Sequence, residues 1–211
     1  MRKEFIALFE GAEFEYTEKK SRFLAQTFPV KGVEEIEAFL DSVRKRYYDA
    51  RHHCYAYCFG ERYENSRISD DGEPTGTAGK PIFDVISGAG VTDCLAVVTR
   101  YFGGTLLGTG GLVRAYSAAA KGALDVSILV RKIPALRYEF SADYADWGKL
   151  QYLFSQRGIS PETVYGQEIL VRYDVPEEQA GSVEKSIVQL TSGKAVPKKL
   201  QESWLQQDMK Q

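Results

Sequence analysis

A chain of 211 residues, 44% apolar and 27% charged with a net charge of −2, has the make-up of a globular protein with one large core or two small ones. Basic and acidic residues balance up to residue 133 and the remainder is slightly acidic, which excludes whole-surface attraction to nucleic acid or anionic membrane and makes any anion site local. The acidic residues of the opening MRKEFIALFEGAEFE, the lack of an apolar run of membrane-spanning length and an odd count of 3 cysteines point to a cytoplasmic protein without a disulfide framework.

Phe5 to Tyr16 is amphiphilic and predicts an edge strand. Lys19-Lys20-Ser21-Arg22 then leads into an apolar strand ending near Pro29, and its cations read first as a solvated charge run. Val33, Ile36, Phe39, Leu40, Val43 and Tyr47 share one face of a helix over 33–47, whose Arg44-Lys45-Arg46 complements the C-terminal dipole. From His52 to Phe59 the residues alternate as a strand, with His52, Cys54, Ala56 and Cys58 on one side and His53, Tyr55, Tyr57 and Phe59 on the other. Zinc ligation by His52, Cys54 and Cys58 fails on geometry, because the two cysteines stand about 13 Å apart at roughly 3.3 Å per residue. Buried thiols explain them better, and no metal is expected.

Residues 69–81 hold Asp70, Asp71 and Glu73 among turn formers and must be a loop. The carboxylates have three readings: magnesium ligands, an acid and base pair, or partners for Arg100 and Arg114 that cross-link the loop. Pro81 suits the first turn of a short helix closed by Gly88.

The chain is organised around residues 91–124. Cys94 to Val98 is apolar on both alternating sets, the pattern of a central strand covered on both faces. It runs into Arg100, two aromatics and two glycine sets, Gly103-Gly104 and Gly108, Gly110 and Gly111, before a small-residue helix carrying Leu112, Tyr116, Ala119, Ala120 and Ala123. Thr109 is the natural N-cap, but Leu112 stands where a capping box needs Glu or Gln. An incompletely capped helix start beside glycines, with Arg114 in its first turns, is suited to an anion; tight turning and close helix packing explain the glycines equally well. Dinucleotide and phosphate-loop patterns both fail, at Val113 and at Thr109 respectively.

Arg131-Lys132-Ile133-Pro134 marks a joint between residues 1–133 and residues 134–211. Beyond it, Leu136, Tyr138 and Phe140 alternate as a strand. Trp147, Leu150, Leu153 and Phe154 form a helix face capped by Asp143 and stopped by Gly158. Two strand-like runs around Tyr165-Gly166, a helix with Val183, Ile187 and Leu190, and a strand from about Ala195 complete a β-α-β-β-α-β order, the ferredoxin-like plan. Without an RNP1 signature, Tyr173 reads as core and not as a base-stacking residue.

KKSRFLA at 19–25, HHCYAYCFG at 52–60, SDDGEPTGTAGKPI at 69–82 and VTRYFGGTLLGTGGLVRAY at 98–116 together resemble the IMPACT/YigZ family over nearly the whole first domain. The resemblance implies an α+β fold of two domains. The first would be similar to a small-subunit ribosomal protein and the fourth domain of elongation factor G; the second would be ferredoxin-like. It also implies contact with RNA or the ribosome, or with a translation-associated protein, since eukaryotic relatives regulate translation by protein binding.

On this reading Arg22, Arg100, Gly103, Gly104, Gly108, Thr109, Gly110, Gly111 and Arg114 form an anion or nucleic-acid site, with Asp70, Asp71 and Glu73 as a neighbouring loop. No catalytic residue, cofactor or membrane partner is assigned. Residues 107–112 are also loosely similar to the phosphate loop of small-molecule kinases on the same superfold. A phosphate-substrate enzyme and a protein-interaction module therefore stand as alternatives.

Overall fold

The computed structural model describes residues 2–209, which divide into two compact units. One spans Phe5–Arg131; the other combines Lys132–Gln207 with the stretch ending at Glu4. Among the described residues no helix is long and apolar enough to cross a membrane.

The predicted opening strand is two strands, β1 (Phe5–Glu10) and β2 (Glu13–Glu18). Gly11 separates them because a Cβ there would stand 1.8 Å from the Thr27 carbonyl oxygen, so the chain must turn where only glycine fits. β3 (Ser21–Pro29), α1 (Val33–Arg46), β4 (His52–Phe59), β5 (Asn65–Ser69), α2 (Gly79–Gly88), β6 (Val91–Thr92), β7 (Cys94–Tyr101) and α3 (Gly108–Asp125) follow. Five strands form an antiparallel sheet in the order β2-β3-β7-β4-β5, with the two-sided apolar strand β7 at its centre. β1 pairs in parallel with β6.

Strand alternation gives that sheet two cores. Phe23, Ala25, Cys54, Ala56, Ala96 and Val98 face α2 and α3, where Tyr116, Ala119, Ala120 and Ala123 are buried. Small residues let α3 lie close to the strands, and Gly122 leaves room for the Phe14 ring, which a Cβ would meet at 2.3 Å. On the opposite face Tyr55, Leu95 and Val97 pack against Ile36, Leu40 and Val43 of α1.

The joint at residues 131–134 is not a loop. β8 (Ile128–Ala142) runs through it as one strand. In the second unit, α4 (Tyr144–Gln156), β9 (Glu162–Tyr165), β10 (Ile169–Pro176), α5 (Glu177–Leu190) and β11 (Lys198–Asp208) continue the chain. β10 pairs antiparallel with both β8 and β9, and β11 pairs with β8, as a ferredoxin-like order requires. Tyr173 is buried beside Phe140 and Phe154, so it belongs to the core. Asp143 occupies the N-cap of α4, yet its carboxylate accepts from Lys194 at 2.8 Å and makes no cap hydrogen bond.

Candidate functional site

Register decides which cations share a face. Phe23 and His52 both lie opposite Arg100 in the sheet, whereas Arg22 lies opposite Tyr101. Successive residues point to opposite faces, so Arg100 emerges on the α2 and α3 side while Arg22 emerges on the α1 side. Arg22 donates to both carboxylate oxygens of Glu15, at 2.8 and 3.0 Å, and stands over the Tyr101 ring. The sheet therefore separates Arg22 from the other two arginines.

The Asp70–Glu73 loop closes over the end of β4. Asp70 accepts from the amides of Gly76, Ala78 and Gly79 at 2.8 to 3.0 Å, so its carboxylate caps α2 from outside the helix. Burial alone would raise the Asp70 pKa, but the three amides outweigh it and hold the carboxyl below its ordinary value. Asp71 turns the chain with a φ of 39°. Its side chain accepts from the His53 amide at 2.7 Å, and its carbonyl accepts from His52 Nδ1 at 2.8 Å.

Asp70→Ala should cost about 1–2 kcal/mol by leaving those amides unanswered. Because the folded carboxyl titrates below its unfolded value of about 4, this contribution is present above that pH and fades as pH falls through the folded value. Urea unfolding of wild type and variant at pH 7 and pH 3 should give a stability gap that narrows at the lower pH.

Glu73 is the centre of a buried polar cluster. Its Oε1 accepts from Arg100 Nη1 at 2.7 Å and from the Tyr116 hydroxyl at 2.8 Å, with the arginine and glutamate side chains 8% and 3% exposed. Cys54 Sγ lies 3.3 Å from the Tyr116 oxygen and 2.9 Å from the Asp70 carbonyl. Burial pushes the Cys54 and Cys58 thiols up to about 12, so neither is a thiolate nucleophile at neutral pH. Of the three readings of the loop carboxylates, these contacts match ion pairing and cross-linking, with Arg100 as the partner. Among the described residues no carboxylate pairs with Arg114.

The glycines divide into two kinds. A Cβ on Gly103 would stand 2.1 Å from the Lys20 carbonyl carbon and 2.3 Å from the Ser21 nitrogen, and its amide donates to Ser21 Oγ at 3.1 Å. Gly103 thus lets the loop feeding α3 press against the β2–β3 turn. Gly104 and Gly108 have φ of 83° and 69° with open space around them, so they serve backbone conformation. Gly111 would bring a Cβ to 3.0 Å from Leu107, and Gly110 lies near the Arg114 guanidinium.

Thr109 is not the cap. Gly108, in the left-handed region, makes the turn into the helix, so Thr109 already lies in the first turn and Leu107 holds the cap position without a side-chain hydrogen bond. The first turn of α3 also carries no acidic residue. Arg114 is exposed on that helix and makes no ion pair among the described residues. Lys19 and Lys20, which the sequence presents as a solvated charge run, are exposed, with φ of 45° and 67°, in the turn that Gly103 touches. Adjacency of two lysines to a strand start was visible, but their contact with a loop some eighty residues away was not.

In the second unit a groove of about 980 Å³ between α4 and α5 is lined by Lys149, Tyr152, Leu153, Gln156, Gln189 and Leu190 among others, without a carboxylate or imidazole.

Residues 19–124, which hold the Asp70–Glu73 loop, Arg100, Tyr116 and the start of α3, match the Impact N-terminal domain, and residues 140–194 match a domain of unknown function, DUF1949. The IMPACT family member YigZ of Escherichia coli (strain K12) is 38% identical over 83% of this chain and 87% of its own length. This chain belongs to the IMPACT family. Another relative, YvyE of Bacillus subtilis (strain 168), is 34% identical over 90% of this chain and 88% of its own. A crystal structure of a hypothetical protein, 33% identical, superposes with a TM-score of 0.63 over 95% of this IMPACT-family chain and 99% of that one. The Dictyostelium discoideum IMPACT homolog matches only 44% of this chain.

Proposed function

We propose that this IMPACT-family chain is a translation-related regulator that binds RNA, the ribosome through its RNA, or another polyanion at the start of α3, without turning the ligand over. The observation that carries the reading is a helix start with neither a capping side chain nor an acid in its first turn, with the exposed Arg114 on the helix and the exposed Lys19 and Lys20 in the turn against which Gly103 of its feeding loop packs. Such an end presents amides and a positive dipole to an anion. Arg22 and Arg100 leave the proposed contact set, because Glu15 and Glu73 already answer their charges. Asp70, Asp71 and Glu73 are occupied in capping, turning and pairing, which favours binding over phosphate chemistry. The likeness to a small-subunit ribosomal protein and to the fourth domain of elongation factor G, which the family resemblance implies, supports the choice of polyanion.

The test is a titration of labelled single-stranded RNA at several salt concentrations, with product analysis. Three phosphate contacts predict a shallow slope of about −2, at roughly −0.7 per phosphate. Replacing Lys19, Lys20 and Arg114 together by alanine should remove most of that slope, while Arg22→Ala should leave it unchanged. Absence of binding at low salt, or conversion of the RNA, overturns the reading.

A further inference from the structure

Where β7 ends and β4 begins, an open cleft of about 510 Å³ is lined by Arg51, His52, Arg100, Tyr101, Phe102 and Leu106 together with the turn before them, a volume suited to a small ligand. Its chemistry is distinct from that of the α3 start. The Arg100 guanidinium lies between two rings, 5.6 Å from the centroid of Phe23 and 5.7 Å from that of Phe102. Phe23 is fully buried, whereas Phe102 is 57% exposed. Glu73 anchors the guanidinium, so the exposed ring rests on a fixed cation and its stacking surface is ordered before any ligand arrives. Arg100 Nε is buried without a partner, a donor that the chain itself leaves unanswered beside the cleft.

Polar groups at the rim complete the site. His52 Nδ1 donates to the Asp71 carbonyl, which leaves Nε2 as the acceptor of the neutral ring. Asp49 accepts from the Tyr101 hydroxyl at 2.6 Å, which fixes that carboxylate in place while leaving its charge uncompensated among the described residues. Arg51 is exposed and makes no ion pair among the described residues. The cleft thus offers an aromatic platform, a free cation and an imidazole acceptor within one small volume.

We propose that this cleft holds one unpaired nucleotide, its base stacked on Phe102 and its phosphate beside Arg51, supplied by a single-stranded RNA or by a free nucleoside monophosphate. For the strand source the inference rests on the polyanion reading above. A base must be splayed from its neighbours to enter, which excludes a duplex, and stacking accepts any base because each has a π-face.

The test titrates a labelled single-stranded RNA octamer, the same sequence as a duplex, inorganic polyphosphate and adenosine monophosphate against wild type, Phe102→Ala, Phe102→Tyr and Arg114→Ala. Phe102→Ala should weaken single-strand binding about tenfold and leave polyphosphate binding unchanged, while Phe102→Tyr keeps wild-type affinity because the ring remains. Arg114→Ala should weaken both polymers. Adenosine monophosphate should compete with the single strand on wild type and lose its binding in Phe102→Ala. Unchanged single-strand affinity in Phe102→Ala overturns the cleft while the polyanion reading stands. If neither polymer binds wild type, the polyanion reading falls; adenosine monophosphate binding that depends on Phe102 then upholds the cleft with the free nucleotide as its source, and the absence of that binding overturns both.

Discussion

Replacing Glu73 by alanine should destabilise the first unit by about 3–5 kcal/mol, the range of emptying a large core side chain. The substitution leaves the Arg100 guanidinium, with its side chain 8% exposed, without its carboxylate. Nε already lacks a partner, so two donors of one buried cation would go unanswered, and the Tyr116 hydroxyl would lose its acceptor as well. A charge stranded in low dielectric is what makes the loss exceed that of an ordinary hydrogen bond. Removing both charges together, with Glu73→Leu and Arg100→Met, should cost clearly less than Glu73→Ala alone, because no charge then remains buried. Both tryptophans, Trp147 and Trp204, lie in the other unit, so denaturant unfolding should be followed by far-UV circular dichroism and by hydrogen exchange of the β7 amides. Equal stability of Glu73→Ala and wild type would show that the pair contributes nothing.

Gly103→Ala carries the second large effect. The added methyl has backbone in front of it, at 2.1 Å from Lys20 and 2.3 Å from Ser21, and backbone in a hairpin cannot rotate aside as a side chain can. Relief requires the α3-feeding loop and the β2–β3 turn to separate, an overpacking cost of about 1–3 kcal/mol. On the polyanion reading the same separation moves Lys19 and Lys20 away from the start of α3, so RNA affinity should fall even where the protein remains folded. Gly104→Ala and Gly108→Ala meet open space and should cost only about 1–2 kcal/mol from the left-handed backbone. The measurement is paired: a stability curve and a single-strand RNA titration for each variant. RNA affinity at the wild-type level in folded Gly103→Ala would break the link between turn and helix start.

What the sequence made legible is what periodicity encodes. The two-sided apolar run of β7, the α1 stripe from Val33 to Tyr47 and the ferredoxin-like order after residue 134 follow from local pattern, because burial on one or two faces leaves a period that can be read directly. Sheet register is set by contacts distant in sequence. Nothing near Arg22 says that it lies opposite Tyr101 instead of Arg100, yet that one-residue difference puts it on the other face. The three carboxylates of the loop were visible as a group, and pairing with Arg100 was among their readings. Their separate roles depend on which amide, imidazole or phenol each one meets. Tyr116 appeared as one more apolar position on a helix, although its hydroxyl is what ties the helix to Glu73. Thr109 misled because capping preference is local, while the true start of α3 is fixed by the left-handed turn at Gly108.

The β2–β3 hairpin turns through Lys19 and Lys20 between the paired residues Glu18 and Ser21, both lysines in the region that favours Asn-Gly. Left-handed backbone at two residues with side chains costs on the order of 1 kcal/mol each. A sequence selected for folding alone drifts toward the easier residues at such a place, and engineering for stability alone would make that exchange first. Here the exchange would delete two adjacent cations. On the polyanion reading, heat resistance and polyanion affinity would then move in opposite directions at this hairpin, because its charge and its backbone conformation make opposing demands on the same two residues.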